Sequence, residues 1–272
     1  MAAHLKTSVT PPYNFLALPS PLSSYRTSKT VILPAPYDST VSYKTGTREG
    51  PQAILLASRK VERFDEELGL DISAHVGGIA TLGEMMPVMS SPKKMVSEVR
   101  EAARKLCEDD KLIVLLGGEH SLTLGVVQAL REKHPKMGVL QIDAHADLRD
   151  EYEGTPFSHA CVMRRVRELC PATQVGVRSF SEEESALMAK ERLRVFLDKD
   201  LAGARAATGK PKWVAEVVQT LPDEVYVTID LDGLDPAIMP SVGTPEPGGL
   251  GWYDTLRLLR AVAQKKRIIG FD

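Results

Sequence analysis

Leu112-Ile113-Val114-Leu115-Leu116 is an unbroken apolar run that stops at Gly117-Gly118. A strand with one wet face alternates polar and apolar residues, whereas a continuous run of strand length is what a parallel strand covered on both faces requires. Helical spacing flanks it. Ser91-Pro92 opens a helix with Met95, Val99, Ala102, Ala103 and Leu106 as its buried stripe, and the spacing resumes through Leu122, Val126, Ala129 and Leu130. Upstream, Thr30-Val31-Ile32-Leu33 reads as a buried strand, and 51–63, with Pro51 in its first turn, as a helix. Downstream the alternation repeats as strand 137–142, helix 159–169, strand 173–177, helix 182–190, strand 193–197, helix 211–220 and strand 224–230. A helix from Tyr253 to Ala263 and a strand from Arg267 follow. Such a chain is expected to be α/β, three layers with a central, mostly parallel sheet between helices.

At 272 residues the chain fits one large core. A single domain over 29–272 is expected, after an arm of residues 1–28 that carries prolines and serines without a period and should lie on the surface or on a neighbouring subunit. Lys and Arg number 34 against 36 Asp and Glu, so the net charge of −2 steers the protein neither to nucleic acid nor to an anionic membrane. Cys107, Cys161 and Cys170 are odd in number and widely spaced, which reads as free thiols in a reducing compartment. No apolar run reaches a membrane span and no secretory layout opens the chain, so a cytoplasmic location is the expectation.

In a sheet of this kind ligands bind at the carboxyl ends of strands, and three strand ends here carry metal-ligating side chains. His120 follows Gly117-Gly118-Glu119. Asp143, His145 and Asp147 follow the strand ending at Ile142, and at alternate positions of an extended chain they would share a face. Asp230 and Asp232 follow Val225-Tyr226-Val227-Thr228-Ile229. Each group has a plain alternative: a polar strand end in water, a loop histidine, a pair of turn-capping aspartates. All three landing at strand ends favours one site, and six ligands exceed what a single tetrahedral ion needs but suit two divalent ions sharing carboxylates. Imidazole and carboxylate without thiolate suit Mn(II), with Co, Ni or Zn as competitors. Four carboxylates offset two such ions, and a bridging hydroxide leaves one negative charge that a cationic substrate would neutralise.

Gly117-Gly118-Glu119-His120-Ser121, Asp143-Ala144-His145-Ala146-Asp147 and Asp230-Leu231-Asp232-Gly233-Leu234-Asp235-Pro236 resemble, in order and spacing, the three metal signatures of the arginase/agmatinase (ureohydrolase) family. The resemblance runs from about residue 30 to Asp272. It implies one Mn(II) on His120, Asp143, Asp147 and Asp230 and another on His145, Asp143, Asp230 and Asp232. The chemistry it implies is attack of a metal-bridging hydroxide on a guanidinium carbon, with release of urea and an amine. Ser158-His159-Ala160 resembles the family's loop histidine that carries the proton to that amine, and Asp147 would also orient the hydroxide.

Arg149 and Ser181 stand where arginases hold the α-amino acid end of arginine, which disfavours arginine. Residues 243–249 and 147–154 look agmatinase-like, with Glu151 a candidate substrate contact. Agmatine, cleaved to putrescine and urea in polyamine biosynthesis, is the expected substrate, and guanidinobutyrate its neighbour. The family also has a glutamate gripping the guanidinium just beyond the position of Asp272. The expectation is therefore a truncated piece of a longer chain, binding metal better than it turns over substrate. A catalytically silent paralogue acting as a subunit or regulator, and a single-zinc deacetylase-like hydrolase, are the competing readings. Family resemblance further implies a homo-oligomer, trimer or hexamer.

Overall fold

The computed structural model describes residues 12–205 and 212–272. The chain begins its regular structure with β1 (Thr30–Ala35), α1 (Gly50–Ser58), a small hairpin of β2 (Phe64–Asp65) and β3 (Leu70–Asp71), α2 (Ile72–His75) and β4 (Ile79–Thr81). Next come α3 (Pro92–Glu108), β5 (Leu112–Gly117), α4 (Thr123–Lys133), β6 (Gly138–Ile142), α5 (Val162–Arg167), β7 (Ala172–Val177) and α6 (Glu182–Glu191). The last elements are β8 (Arg194–Leu197), α7 (Asp198–Arg205), α8 (Lys212–Thr220), β9 (Glu224–Ile229), α9 (Trp252–Lys265) and β10 (Arg267–Phe271).

Eight strands form one sheet in the order β4-β1-β5-β10-β9-β6-β7-β8, and every neighbouring pair is parallel. The apolar runs explain why. Successive residues of β1 and β5 feed opposite faces: Val31, Leu33, Ile113 and Leu115 pack with α3 and α4, while Ile32 and Val114 pack with Leu18 and Ile79. Farther along the sheet Leu140, Ile142, Val225 and Val227 meet Trp213 and Val217 of α8 and Leu258 and Val262 of α9. Helices therefore cover both faces, the three-layer α/β/α arrangement expected of strands with no polar side. Truncating a core residue such as Leu258 to alanine would cost about 2–5 kcal/mol.

Several short elements differ from the periodicity reading. The helix over 51–63 ends at Ser58, and the helix over 159–169 divides into a 3-10 turn, His159–Cys161, and α5. Strand β4, only three residues long after Gly77 and Gly78 at positive φ, is too short to show a period, as is the hairpin before it. Residue 211 and residues 1–11 lie outside the described residues. Residues 12–28 lie against the chain's own body: Leu18 is fully buried, Phe15 N–H donates to Thr81 Oγ1 at 3.0 Å and Leu16 N–H to Ser58 Oγ at 3.0 Å. The three cysteines are buried and unpaired. Among the described residues no helix is long and apolar enough to cross a membrane.

Candidate metal centre

The ends of β5, β6 and β9 bring five of the six expected ligands together in two groups, with the sixth, Asp230, beside His120. His120, Asp143 and Asp147 place one donor atom each within 4.8 Å of one another, and so do Asp143, His145 and Asp232. Asp143 belongs to both. His120 Nδ1 lies 2.9 Å from Asp143 Oδ2, 3.2 Å from Asp147 Oδ2 and 3.5 Å from Asp230 Oδ2. His145 Nδ1 lies 3.1 Å from Asp232 Oδ2 and 3.5 Å from Asp143 Oδ1.

Convergence does not come from an extended strand, as alternate spacing suggested. Strand β6 stops at Ile142, and Asp147 sits at φ 53°, a left-handed conformation that aspartate tolerates better than most residues. Asp230 does two things at once: its Oδ1 accepts from Asp232 N–H at 3.1 Å, capping the 3-10 turn Leu231–Gly233, while Oδ2 faces His120. Turn cap and candidate ligand are thus the same residue. Gly233 lets this turn ride over β6, since a Cβ there would stand 2.7 Å from Asp143 N. The ride brings Ala144 N–H to Asp232 Oδ1 at 3.1 Å.

Whether the site fits a metal ion is decided at His120. Tyr226, Thr123 and Thr228 all donate hydroxyl protons to Asp272, Thr228 Oγ1 to Oδ1 at 2.5 Å. With its proton so engaged, Thr228 accepts from His120 Nε2–H at 2.8 Å. Nδ1 is then left buried among three carboxylates. Burial opposes charge on the imidazole, but Asp143 and Asp147 outweigh it and raise the ring well above its ordinary pKa, so that a proton or a metal ion must stand there. A divalent ion fits in place of that proton, because an imidazole whose other nitrogen is fixed by a second hydrogen bond is arranged as metal-binding histidines are.

The electrostatics agree. Burial, then the charges of Asp232 and Asp143, push the Asp230 carboxyl well above its ordinary value. Burial and Asp143 raise Asp147 to about 6 and lift Asp232 as well. Burial opposes charge on His145, but Asp143 and Asp232 outweigh it and carry the imidazole to about 11. Asp143 is burdened by burial yet held below its ordinary value by His120 and His145. Without metal the cluster holds protons where cations would sit.

A cavity of about 350 Å³ opens on this cluster, with His120, His159, Asp230, Asp232 and Thr244 in its wall. Thr244 Oγ1 donates to Asp232 Oδ2 at 3.1 Å. His159 stands at the same cavity, its pKa lowered by burial, with the edge of Tyr152 against its ring at 5.9 Å and 87°. Glu151 is exposed and does not line the cavity. Arg149 lies over the Tyr152 ring at 5.1 Å, and Ser181 caps α6 in a reciprocal pair with Glu184.

Residues 28–272 match the model of the Arginase family. The chain belongs to the arginase family, and with it is a hydrolase. Among its relatives, the N(1)-aminopropylagmatine ureohydrolase of Synechocystis sp. is 41% identical over 258 residues, which is 92% of this chain and 82% of that protein. The agmatinase of Pyrococcus horikoshii is 34% identical over 89% of this chain and 81% of its own length. The crystal structure of the agmatine ureohydrolase of Thermoplasma volcanium superposes with a TM-score of 0.84 at 32% identity, covering 97% of this chain and 86% of that one.

Around the ligands, this arginase-family chain builds a buried polar shell that motif spacing does not reveal. Gln141 Nε2 donates to Asp143 Oδ2 at 2.7 Å, and Gln174 Nε2 to Gln141 Oε1 at 2.5 Å. Gln141 and Thr228 each stand two residues before a candidate ligand, as polar residues near the end of a largely apolar strand, and that is the signal that could have found them. Asp272, Thr40 and Glu119 carry no such mark.

Proposed function

We propose that this protein is a dinuclear-metal ureohydrolase that cleaves agmatine to putrescine and urea. The observation that carries the reading is the shared Asp143, which joins two three-residue ligand groups into one site. His120, Asp143, Asp147 and Asp230 would hold one ion and His145, Asp143, Asp230 and Asp232 the other, with Mn(II) favoured by the imidazole and carboxylate set and Co, Ni or Zn as competitors. Such ions, once bound, supply Lewis acidity and a strong nucleophile from water at neutral pH.

The chain's own residues do the rest. With two ions held by the four carboxylates, a hydroxide would leave the site the one negative charge that suits a guanidinium, and Val41, Ile54 and Val242 give the cavity wall the apolar surface a polymethylene stem needs. Asp147 orients the attacking water. His159, kept neutral by burial, accepts a proton on its free ring nitrogen and delivers it to the departing amine. Water and agmatine then leave as urea and putrescine. A homo-oligomer, trimer or hexamer, belongs to the same proposal and is read by light scattering.

A second reading has its own support, because relatives at 37–41% identity are named for N(1)-aminopropylagmatine. Urea release in Mn(II) from agmatine, N(1)-aminopropylagmatine, guanidinobutyrate and arginine separates them by kcat/KM. Agmatine ranking first is the expected result. N(1)-aminopropylagmatine ranking first would move the assignment to the longer amine, and no urea from any of the four would leave a silent paralogue.

A further inference from the structure

Thr40 lies in the loop after β1, 79 residues from Glu119 and 119 from His159, yet it touches both. Its backbone N–H donates to Glu119 Oε2 at 2.7 Å and its hydroxyl to Oε1 at 2.5 Å. Ser121 Oγ also donates to Oε1, at 2.5 Å, so Glu119, which is 5% exposed, is an acceptor for three donors. A hydroxyl has one proton to give and two lone pairs. With the proton on Glu119, Thr40 Oγ1 can only accept from His159. It does so from the backbone N–H at 3.1 Å, and its remaining lone pair faces Nδ1 at 3.3 Å.

Two neutral forms of His159 are available. If Nδ1 were bare, its lone pair would oppose that of Thr40. If Nδ1 carries the proton, both acceptor sites of Thr40 are filled. Ser158 Oγ, also 3.3 Å from Nδ1, accepts from Ala160 N–H at 3.4 Å and keeps a second lone pair for this form. Donation of its hydroxyl to a bare Nδ1 is the competing arrangement, and Ser158→Ala, which removes that donor, should leave the wild-type ring unmoved. We infer that Thr40, held by Glu119, is a positioning residue that fixes His159 as the Nδ1–H tautomer and leaves Nε2 as the nitrogen that exchanges protons. The value of this to the reaction rests on the role proposed above for His159, whereas the tautomer itself does not. The pairing resembles the one at His120, where Thr228 and Asp272 fix the opposite nitrogen: in each case a carboxylate takes the threonine's proton and the threonine sets the imidazole.

The ring is read directly by ¹⁵N NMR of metal-free protein labelled at histidine, with His159 assigned through His159→Asn. The wild type should show Nδ1 protonated and Nε2 bare. Thr40→Val, which keeps the shape and removes the hydroxyl, should shift His159 towards the Nε2–H form, and Thr40→Ser should restore the wild-type pattern. A wild-type ring with Nε2 protonated, or a ring unmoved by Thr40→Val, would overturn the inference. In the Mn(II)-loaded enzyme Thr40→Val should lower kcat roughly 10- to 100-fold with KM little changed. In a His159→Asn background it should lower kcat no further, and an equal loss there would show Thr40 acting elsewhere. Full activity of His159→Asn alone would instead remove the proton-carrying role of His159, and the NMR result would still decide the tautomer.

Discussion

Asp143 offers one oxygen to each histidine of the centre, Oδ2 towards His120 and Oδ1 towards His145, and of the two residues proposed to be shared, Asp143 and Asp230, it alone stands in both donor clusters. That asymmetry has a measurable consequence. His120→Asn leaves Asp143, His145 and Asp232 in place, so bound Mn(II) should fall from two towards one per chain, while Asp143→Ala strikes both groups and should leave less than one. Elemental analysis after gel filtration reads both. Equal metal content in the two variants would contradict the sharing. All six candidate ligands are legible as residues because donor side chains directly after apolar strands stand out. Their geometry was less so: an extended path was expected, and Asp147 instead turns through φ 53°. Thr40 and Glu119 were illegible, since a contact 79 residues apart leaves no period in the chain.

Turns between elements set the site as much as the ligands do. Gly233→Ala changes no ligand, but the added Cβ would meet the Asp143 backbone at 2.7–2.9 Å. Overpacking of this kind costs on the order of 1–3 kcal/mol, and here the strain falls on a ligand's own backbone. A lower melting temperature together with weaker Mn(II) binding is expected, and a variant unchanged in both would contradict the packing account.

Across the sheet, Asp38 anchors the loop after β1 through Gly46 N–H at 3.0 Å and the Arg48 guanidinium, with Nε at 2.6 Å. Burial alone would raise its pKa, but Arg48 and Gly46 hold it below the ordinary 3.8. A depressed folded value means the stabilisation is fully present above the unfolded pKa and is lost as pH falls through the folded one. Asp38→Asn should therefore cost about 1–3 kcal/mol at neutral pH, and the gap to wild type should close below about pH 4. Denaturant midpoints across that range test it, and a gap constant with pH would refute it. Elements of this length scale divide sharply in legibility. Long apolar runs such as β5 were plain, whereas β4, the β2–β3 hairpin and α7 were not, being too short or too irregular for a period to form.

For the molecule as a whole, strands with no polar face imply a mostly parallel sheet, and the parallel order found places the carboxyl ends of β5, β10 and β9 around one cavity, with Asp143 and His145 after β6 against the His120 and Asp232 of its wall. Helices on both sides bury the backs of the candidate ligands, and at that low dielectric the carboxylates hold strongly whatever positive charge stands among them. The central claim is that this cavity is a two-ion centre for guanidine hydrolysis. Urea release from agmatine and from N(1)-aminopropylagmatine by metal-stripped protein, followed as Mn(II) is added back, tests it most directly. Activity should rise and level off at two ions per chain. Saturation at one ion per chain, or two ions bound with no urea from either substrate, would contradict it.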